Sequence, residues 1–376
     1  MECKIIFPVV RGLLLFVKSI FVSLPGSKRL SLFWNFGSIL AIILAFQIVT
    51  GLFLVINFKS DRRLAFQRVQ FIIYEVEFGF LFRIFHFNGA NLFFVFLYLH
   101  ILKGLFYCRY RLTIVWVRGV TLFILVILTA FLGYVIVWGQ ISFWAAVVIT
   151  NLVRVIPYIG VTLIFWIWAG FSVNNGTLGL FFMLHFLVPF IILIIVVAHL
   201  IFLHDRGRTS SLLCIGDYDK VKFFPFYIAK DGLNLLLWLR FFFLALSFPF
   251  LLGDAEIFIA ANSLSSPVHI VPEWYFLFAY AILRAIPNKI MGVVALLARV
   301  VGLYFLALSR NYTTILNLLN KFLVYWFVRV WLLLTWVGQC GVEAPFIVLG
   351  IIFSICYFSL LGIIFSLYTF SYKFFI

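Results

Sequence analysis

Four of the six histidines in this chain of 376 residues lie in two apolar segments and have the same spacing in each. The first segment, HFNGANLFFVFLYLH, begins at His86 and ends at His100, and the second, HFLVPFIILIIVVAH, begins at His185 and ends at His199. A single histidine in such a segment is usually a hydrogen-bonded packing residue. Four at equal intervals indicate a binding site instead, because neutral imidazole binds metal ions and haem iron.

The interval of fourteen residues places both histidines of a segment on similar faces of a helix. At ~1.5 Å and ~100° per residue, they lie about 21 Å apart and within about 40° of one direction. If the segments are the second and fourth membrane spans, one crossing separates them, so they run parallel. His86 is then level with His185, and His100 is level with His199. We therefore expect two sites, stacked across the membrane, with two facing imidazoles each.

Two facing imidazoles are the usual axial ligands of an electron-transferring b haem. Zinc would need further ligands, and no Cys, Asp or Glu is level with these histidines. A proton relay would need carboxylates, which the apolar spans almost lack. The sequence has no CxxC, so covalent c-type haem is not expected. The residues therefore favour two non-covalent haem b groups.

Glycines repeat the same interval in the two spans that alternate with the histidine segments. Gly37 and Gly51 are fourteen residues apart, and so are Gly119 and Gly133. Glycine lowers helix stability but lets a ring approach the backbone closely. Helix-on-helix packing through small residues is the alternative explanation. The shared interval at two depths favours contact with the haems.

Composition places all of these segments in a membrane. Hydrophobic residues make up 66% of the chain and charged residues 11%, whereas a soluble domain is roughly 25% charged. We predict an all-α polytopic membrane protein with short surface helices near 140–153 and 273–286. The eight expected transmembrane helices are near 32–56, 79–105, 113–136, 179–203, 233–252, 290–308, 320–340 and 346–370. Each is long enough to cross a ~30 Å hydrocarbon core.

The distribution of positive charge predicts the orientation. The net charge is +16, and most Lys and Arg residues lie in short loops on the side of both termini. By the positive-inside rule both termini lie on the negative side of the membrane. Because these charges belong to short loops, a nucleic-acid partner is not expected. We divide the chain into 1–210, a haem-binding four-helix bundle formed by spans 1–4, and 211–376, which holds spans 5–8.

Several motifs together resemble the mitochondrial cytochrome b family, the haem subunit of quinol–cytochrome c oxidoreductase (the cytochrome bc complex). They are WNFGS (34–38), RIFHFNGA (83–90), GYVIVWGQISFWAAVVITNL (133–152), IPYIG (156–160), HLIFLH (199–204) and PEWYFLFAYAILRAIPNK (272–289). The resemblance implies a subunit that oxidises quinol at the positive side and reduces quinone at the negative side. Electrons would pass through two b haems, and the reaction would contribute to proton translocation.

The resemblance also implies roles for residues near the haems. His86 with His185 would hold the low-potential haem, and His100 with His199 the high-potential haem. The cations expected at haem propionates are Arg83 and Lys103. Lys103 stands where many relatives have Arg, so it would keep the contact without a bidentate fork.

The quinol-oxidation site implied by the resemblance contains Glu273, Tyr134 and Tyr280. A carboxylate in an apolar pocket beside a haem can accept a quinol proton, although an acid after Pro272 is also typical of a helix N-terminus.

The quinone-reduction site implied by the resemblance contains His204, Asp231 and Ser38. A histidine and an aspartate there could supply the two protons that quinone reduction requires.

The expected partners are a Rieske iron–sulfur protein, a cytochrome c1-type subunit, other complex subunits and membrane lipids, in a dimeric complex of the mitochondrial inner membrane. The iron–sulfur centre must belong to another chain because this one lacks a suitable cysteine set. Two alternatives remain at this point. Another dihaem quinone-oxidoreductase anchor would not be expected to carry PEWY, and a cofactor-free transport subunit would need intramembrane charged residues.

Overall fold

The computed structural model describes residues 11–12, 14–15, 18–19, 22–28, 30–205, 219–308 and 318–374. The regular secondary structure of this part is helical apart from a small antiparallel ribbon formed by β1 (Pro25–Ser27) and β2 (Lys220–Lys222). Its α-helices are α1 Phe36–Asn57, α2 Ala65–Tyr74, α3 Gly79–Phe106, α4 Thr113–Val135, α5 Gln140–Asn151, α6 Gly160–Trp168, α7 Asn175–Asp205, α8 Ile228–Ser247, α9 Leu277–Ala285, α10 Lys289–Leu306, α11 Leu318–Gln339 and α12 Phe346–Phe374. The predicted all-α membrane class is confirmed.

Seven of these helices, in the part of the chain that the structure describes, are long and apolar enough to cross a membrane: α1, α3, α4, α7, α10, α11 and α12. The helix α8 has 20 residues but carries Lys230, Asp231 and Arg240. An eighth span at this helix therefore stays a prediction. The observed α8 also begins and ends five residues earlier than the predicted 233–252. It ends at Ser247 because Pro249 disfavours helical geometry at the preceding residue, Phe248, whose φ is −135° and ψ 67°.

The short helices near 140–153 and 273–286 are present as α5 and α9. Both follow loops rich in residues that end helices, since Gly139 precedes α5 and Pro272 lies five residues before α9. The structure adds two short helices that the apolar runs did not predict, α2 and α6. These segments are too short to cross a bilayer and connect longer helices.

The first four long helices form the part of the fold that carries the histidines. α1 lies along α3, and α4 lies along α7. An apolar cluster joins all four helices: Leu44 of α1 meets Val188 and Ile192 of α7, with Phe93 of α3 and Leu125 of α4 against them. The helices α9–α12 pack together in the second half of the chain. The proposed boundary at 210 falls between the described residues 205 and 219.

Candidate functional site

The structure brings His86 of α3 and His185 of α7 together. Their ring centroids are 6.2 Å apart and the ring planes are inclined by 87°. Nδ1 of His185 lies 2.9 Å from the carbonyl oxygen of Thr129, which can only accept a hydrogen bond. The proton of this imidazole is therefore on Nδ1, and Nε2 keeps its lone pair for a ligand bond.

The other imidazole of this pair is held in the same way by a threonine hydroxyl. Nδ1 of His86 lies 3.0 Å from Oγ1 of Thr50. Two carbonyl oxygens of its own helix can take the single hydroxyl proton of Thr50, that of Phe46 at 2.8 Å and that of Gln47 at 3.2 Å. With the proton there, the hydroxyl oxygen accepts from Nδ1–H of His86, which leaves Nε2 as the coordinating nitrogen. The sequence analysis did not identify these two threonines.

Each of the four histidines lies against one of the four glycines assigned to haem contact. A Cβ atom added to the glycine would meet Cε1 of the histidine at 2.4 Å for Gly133 with His185, 3.1 Å for Gly51 with His86, 3.4 Å for Gly37 with His100 and 3.4 Å for Gly119 with His199. The repeated interval of fourteen therefore matches glycine to histidine. At Gly133, and less severely at Gly51, the imidazole occupies the space that a side chain would fill, whereas 3.4 Å at Gly37 and Gly119 is an ordinary contact distance.

The second pair of histidines lies near the other end of α3 and α7. Nδ1 of His100 is buried and makes no hydrogen bond to any residue that the structure describes. Three residues later, the Lys103 ammonium lies 5.1 Å from the ring centroid of Trp34, and the Arg109 guanidinium lies 5.9 Å from the same ring. Positive charge therefore gathers at this end of the bundle.

A cavity of about 230 Å³ lies between α1, α3, α4 and α7. His86 and His185 face it, and Arg83, Tyr134 and Tyr275 contribute polar groups to a lining that is otherwise mostly apolar. The combination of apolar walls, two imidazoles and one guanidinium suits a flat apolar ligand with acidic substituents.

Glu273 lies in the loop before α9, close to this cavity. Its Oε1 is buried and makes no hydrogen bond within the described residues. Burial raises the pKa of the Glu273 carboxyl to about 7, hydrogen bonding from its own backbone and from Tyr134 opposes the rise, and the Asp254 carboxylate adds to it. The carboxyl can therefore exchange a proton near neutral pH, which is the property of a general base.

Side chains of α3 hold the loop of Glu273 in place. Nε1 of Trp274 donates to Oδ1 of Asn91 at 2.8 Å, and the Tyr98 hydroxyl donates to the carbonyl oxygen of Tyr275 at 2.5 Å. The ring of Tyr275 stacks on Phe94, with 4.0 Å between centroids. The two residues that follow Glu273 are thus tied to a membrane helix.

Tyr280 is placed differently from the other residues assigned to quinol oxidation. It lies on α9, with the Arg284 guanidinium 5.4 Å from its ring centroid. The cavity lining includes Tyr134 and Tyr275 but not Tyr280. The motif-based assignment therefore missed Tyr275, which belongs to the same PEWY sequence.

Ser38 and Asp231, assigned to quinone reduction, are in direct contact. The Ser38 hydroxyl lies 2.9 Å from Oδ1 of Asp231. The amide of Asn234, one turn further along α8, donates to the Ser38 oxygen at 2.8 Å. His204 lies in the last turn of α7 and is partly buried. Asn234 is a polar residue of this site that the sequence analysis missed.

Comparison with known proteins identifies the relatives of this chain. The family model described as Cytochrome b/b6/petB matches residues 21–207, and the one described as Cytochrome b(C-terminal)/b6/petD matches residues 260–358. The proteins named "Cytochrome b" of Caenorhabditis briggsae and Caenorhabditis elegans are each 60% identical over 349 residues, which is 93% of this chain and 94% of theirs. A chain of a solved structure described as "Hyperthermophilic respiratory Complex III" is 29% identical, with a TM-score of 0.84 over 92% of this chain and 93% of that chain.

Proposed function

The chain belongs to the cytochrome b family, and we propose that it oxidises quinol on the positive side of the membrane and reduces quinone on the negative side. As a b-haem subunit of the cytochrome bc complex, it is part of a respiratory oxidoreductase. The observation that carries the proposal is the arrangement of four histidines on α3 and α7, each against a glycine of α1 or α4. Family membership replaces both alternatives, another dihaem anchor and a cofactor-free transporter.

The residues fit two b haems. His86 and His185 would hold the low-potential haem, and His100 and His199 the high-potential haem. The fixed Nδ1–H protons of the first pair support this, since they leave Nε2 for iron. When bound, each haem transfers one electron at a time.

Arg83 lines the cavity and Lys103 lies three residues beyond His100, so both cations could contact acidic haem substituents.

At the quinol-oxidation site, Glu273 takes a proton from the quinol hydroxyl. Its carboxylate, the form that accepts, becomes the major form as pH rises through about 7, because burial raises the pKa to that value. The bonds of Trp274 and Tyr275 to α3 keep the loop in position. Tyr134 is a hydrogen-bonding neighbour of the carboxyl, and Tyr275 lines the cavity. Tyr280 keeps its proposed role here on the resemblance alone.

At the quinone-reduction site, Asp231 and His204 supply the two protons that quinone takes up when it receives two electrons. Ser38 contacts the Asp231 carboxyl and acts at this site through that contact. Ser38 lies in the first turn of α1 and Asp231 in the first turn of α8, next to the cationic end of the bundle. This placement supports a site on the side that is rich in Lys and Arg.

The chain works with other subunits of its complex. We assign the iron–sulfur centre to a Rieske-type protein and the next electron carrier to a cytochrome c1-type subunit, in a dimeric complex of the mitochondrial inner membrane. We propose both termini on the matrix side, with 1–210 as the dihaem unit and 211–376 as the second unit. An eighth span at α8 completes this topology.

Haem stoichiometry tests the proposal. The purified complex is assayed by pyridine haemochrome against the amount of this chain. Two b haems per chain are expected, together with quinol–cytochrome c reductase activity. Zero or one haem per chain would contradict the two-site arrangement.

A further inference from the structure

Four polar groups meet where α1 and α8 cross, and they form one connected hydrogen-bond network. The Ser38 hydroxyl lies 2.9 Å from Oδ1 of Asp231 and 3.0 Å from the carbonyl oxygen of Asn35. Nδ2 of Asn234 donates to the Ser38 oxygen at 2.8 Å. The hydroxyl therefore has two acceptors and one donor within hydrogen-bonding distance.

A serine hydroxyl has one proton and two lone pairs, so it cannot donate to both acceptors at once. When Asp231 is a carboxylate, the proton of Ser38 points to Oδ1 and the Asn35 carbonyl gives up this contact. When Asp231 is protonated on Oδ1, it can donate to Ser38, whose own proton then turns to the Asn35 carbonyl. Each state of the carboxyl keeps a hydrogen-bonded partner.

The orientation of the Asn234 amide is fixed by its other neighbour. Nδ2 of Asn35 lies 3.4 Å from Oδ1 of Asn234 and donates to the Lys230 carbonyl oxygen at 2.8 Å. The oxygen of Asn234 therefore faces Asn35 and its nitrogen faces Ser38. Asn234 is 2% exposed and Asn35 is 7% exposed, so water does not compete for these bonds.

We propose that the Ser38 hydroxyl is a two-position switch coupled to the protonation of Asp231, and that Asn234 is the positioning residue that keeps it in place. The inference rests on the proposed reduction of quinone at this site. When quinone receives electrons, the O–H bond of Asp231 breaks and an O–H bond forms on the quinone oxygen. The Ser38 hydroxyl then turns from the Asn35 carbonyl to the new carboxylate, which lowers the cost of leaving a charge there.

The titratable and charged groups of the described elements at this end of the bundle are as follows. Lys230 and Arg240 lie on α8 itself, Tyr227 precedes that helix, Lys103 and Arg109 lie at the same end of α3 and just after it, and His204 lies in the last turn of α7. The sequence of α1 contains no charged residue. Ser38 is thus the group of α1 that responds when the Asp231 carboxyl gains or loses a proton.

Kinetics in the intact complex test the switch. The rate at which quinone re-oxidises the negative-side haem is measured for Ser38→Ala, Ser38→Thr and Asn234→Leu, with Asp231→Asn as the reference. Ser38→Ala and Asn234→Leu should slow this re-oxidation about tenfold, as expected when one hydrogen bond to a charged group is lost. Ser38→Thr keeps a hydroxyl and should recover most of the rate that Ser38→Ala loses. Ser247→Ala is the matched control, because among the described residues this α8 hydroxyl bonds the carbonyl of Phe243 alone.

The outcomes separate the two proposals. If Asp231→Asn leaves the rate of haem re-oxidation unchanged, the proposal that quinone is reduced at this site is wrong. If Asp231→Asn slows it but Ser38→Ala and Asn234→Leu do not, the site stands and the switch is wrong. Infrared difference spectra of quinone reduction give a second readout that does not depend on rate. The carboxylic C=O band that disappears in Asp231→Asn should move in both Asn234→Leu and Ser38→Ala, and an unmoved band would overturn the switch.

Discussion

Substituting Gly133 by alanine should damage one histidine site selectively. The added Cβ would lie 2.4 Å from Cε1, 2.9 Å from Nδ1 and 3.0 Å from Nε2 of His185. Because three ring atoms are too close, the imidazole must move away by about 1 Å to reach an ordinary contact. This movement stretches the bond from Nδ1 to the Thr129 carbonyl, which is 2.9 Å long.

The size of the effect follows from these contacts. Overpacking of this kind costs about 1–3 kcal/mol, and a lost hydrogen bond costs about 1 kcal/mol more. A total of about 2–4 kcal/mol lowers the affinity for the ligand of His185 by about 30- to 700-fold. Gly119→Ala is the matched control, because its Cβ would lie 3.4 Å from His199, which is an ordinary contact distance.

An optical redox titration of the purified complex, with the haem content per chain, measures both variants. Gly133→Ala should lose or alter the low-potential component and keep the high-potential one, whereas Gly119→Ala should retain both. Two unaltered haems in Gly133→Ala, or an equal loss in Gly119→Ala, would refute the reasoning from the glycine contacts.

Three further predictions concern single side chains. Glu273→Gln should slow quinol oxidation while both haems stay bound. It should also remove the rise of the oxidation rate near pH 7, because the pKa of Glu273 is raised to about 7 and its carboxylate is the form that accepts the proton. An unchanged pH–rate profile from pH 6 to 8 would assign Glu273 a structural role. Thr50→Val removes the acceptor at Nδ1 of His86, so the low-potential haem should shift to a more positive midpoint potential in a redox titration, and Thr50→Ser should restore it. His204→Ala should slow re-oxidation of the negative-side haem and leave the first electron transfer from quinol intact in a single turnover, and a block of that first transfer would reverse the site assignment.

The arrangement of the histidines could be predicted because it depends on helix geometry alone. Parallel helices place residues at equal distances along them at one level, and the contact of His86 with His185 follows from that rule. The glycines repeat the interval of fourteen residues that separates the histidines, but the sequence does not show that an imidazole is the ring that approaches each glycine. That detail depends on how far α1 and α4 lie from the histidine helices.

The polar partners of the site could not be predicted from the sequence. Hydroxyl and amide side chains in membrane helices usually bond to their own helix, as Thr335 does with the Trp331 carbonyl. Nothing in the residue type distinguishes Thr50 or Asn234, which reach across to another helix. The start of α8 was also misplaced, since the predicted span began at the apolar run and the helix includes the charged Lys230 and Asp231 before it.

The pairing of ligands across α3 and α7 is tested most directly by a redox titration of the b-haem absorption in complexes that carry His185→Leu or His199→Leu. His86 shares its level with His185, so His185→Leu should remove the low-potential component and leave the high-potential one. His199→Leu should do the reverse. Selective loss of the high-potential component in His185→Leu would contradict the pairing and the parallel arrangement of the two helices.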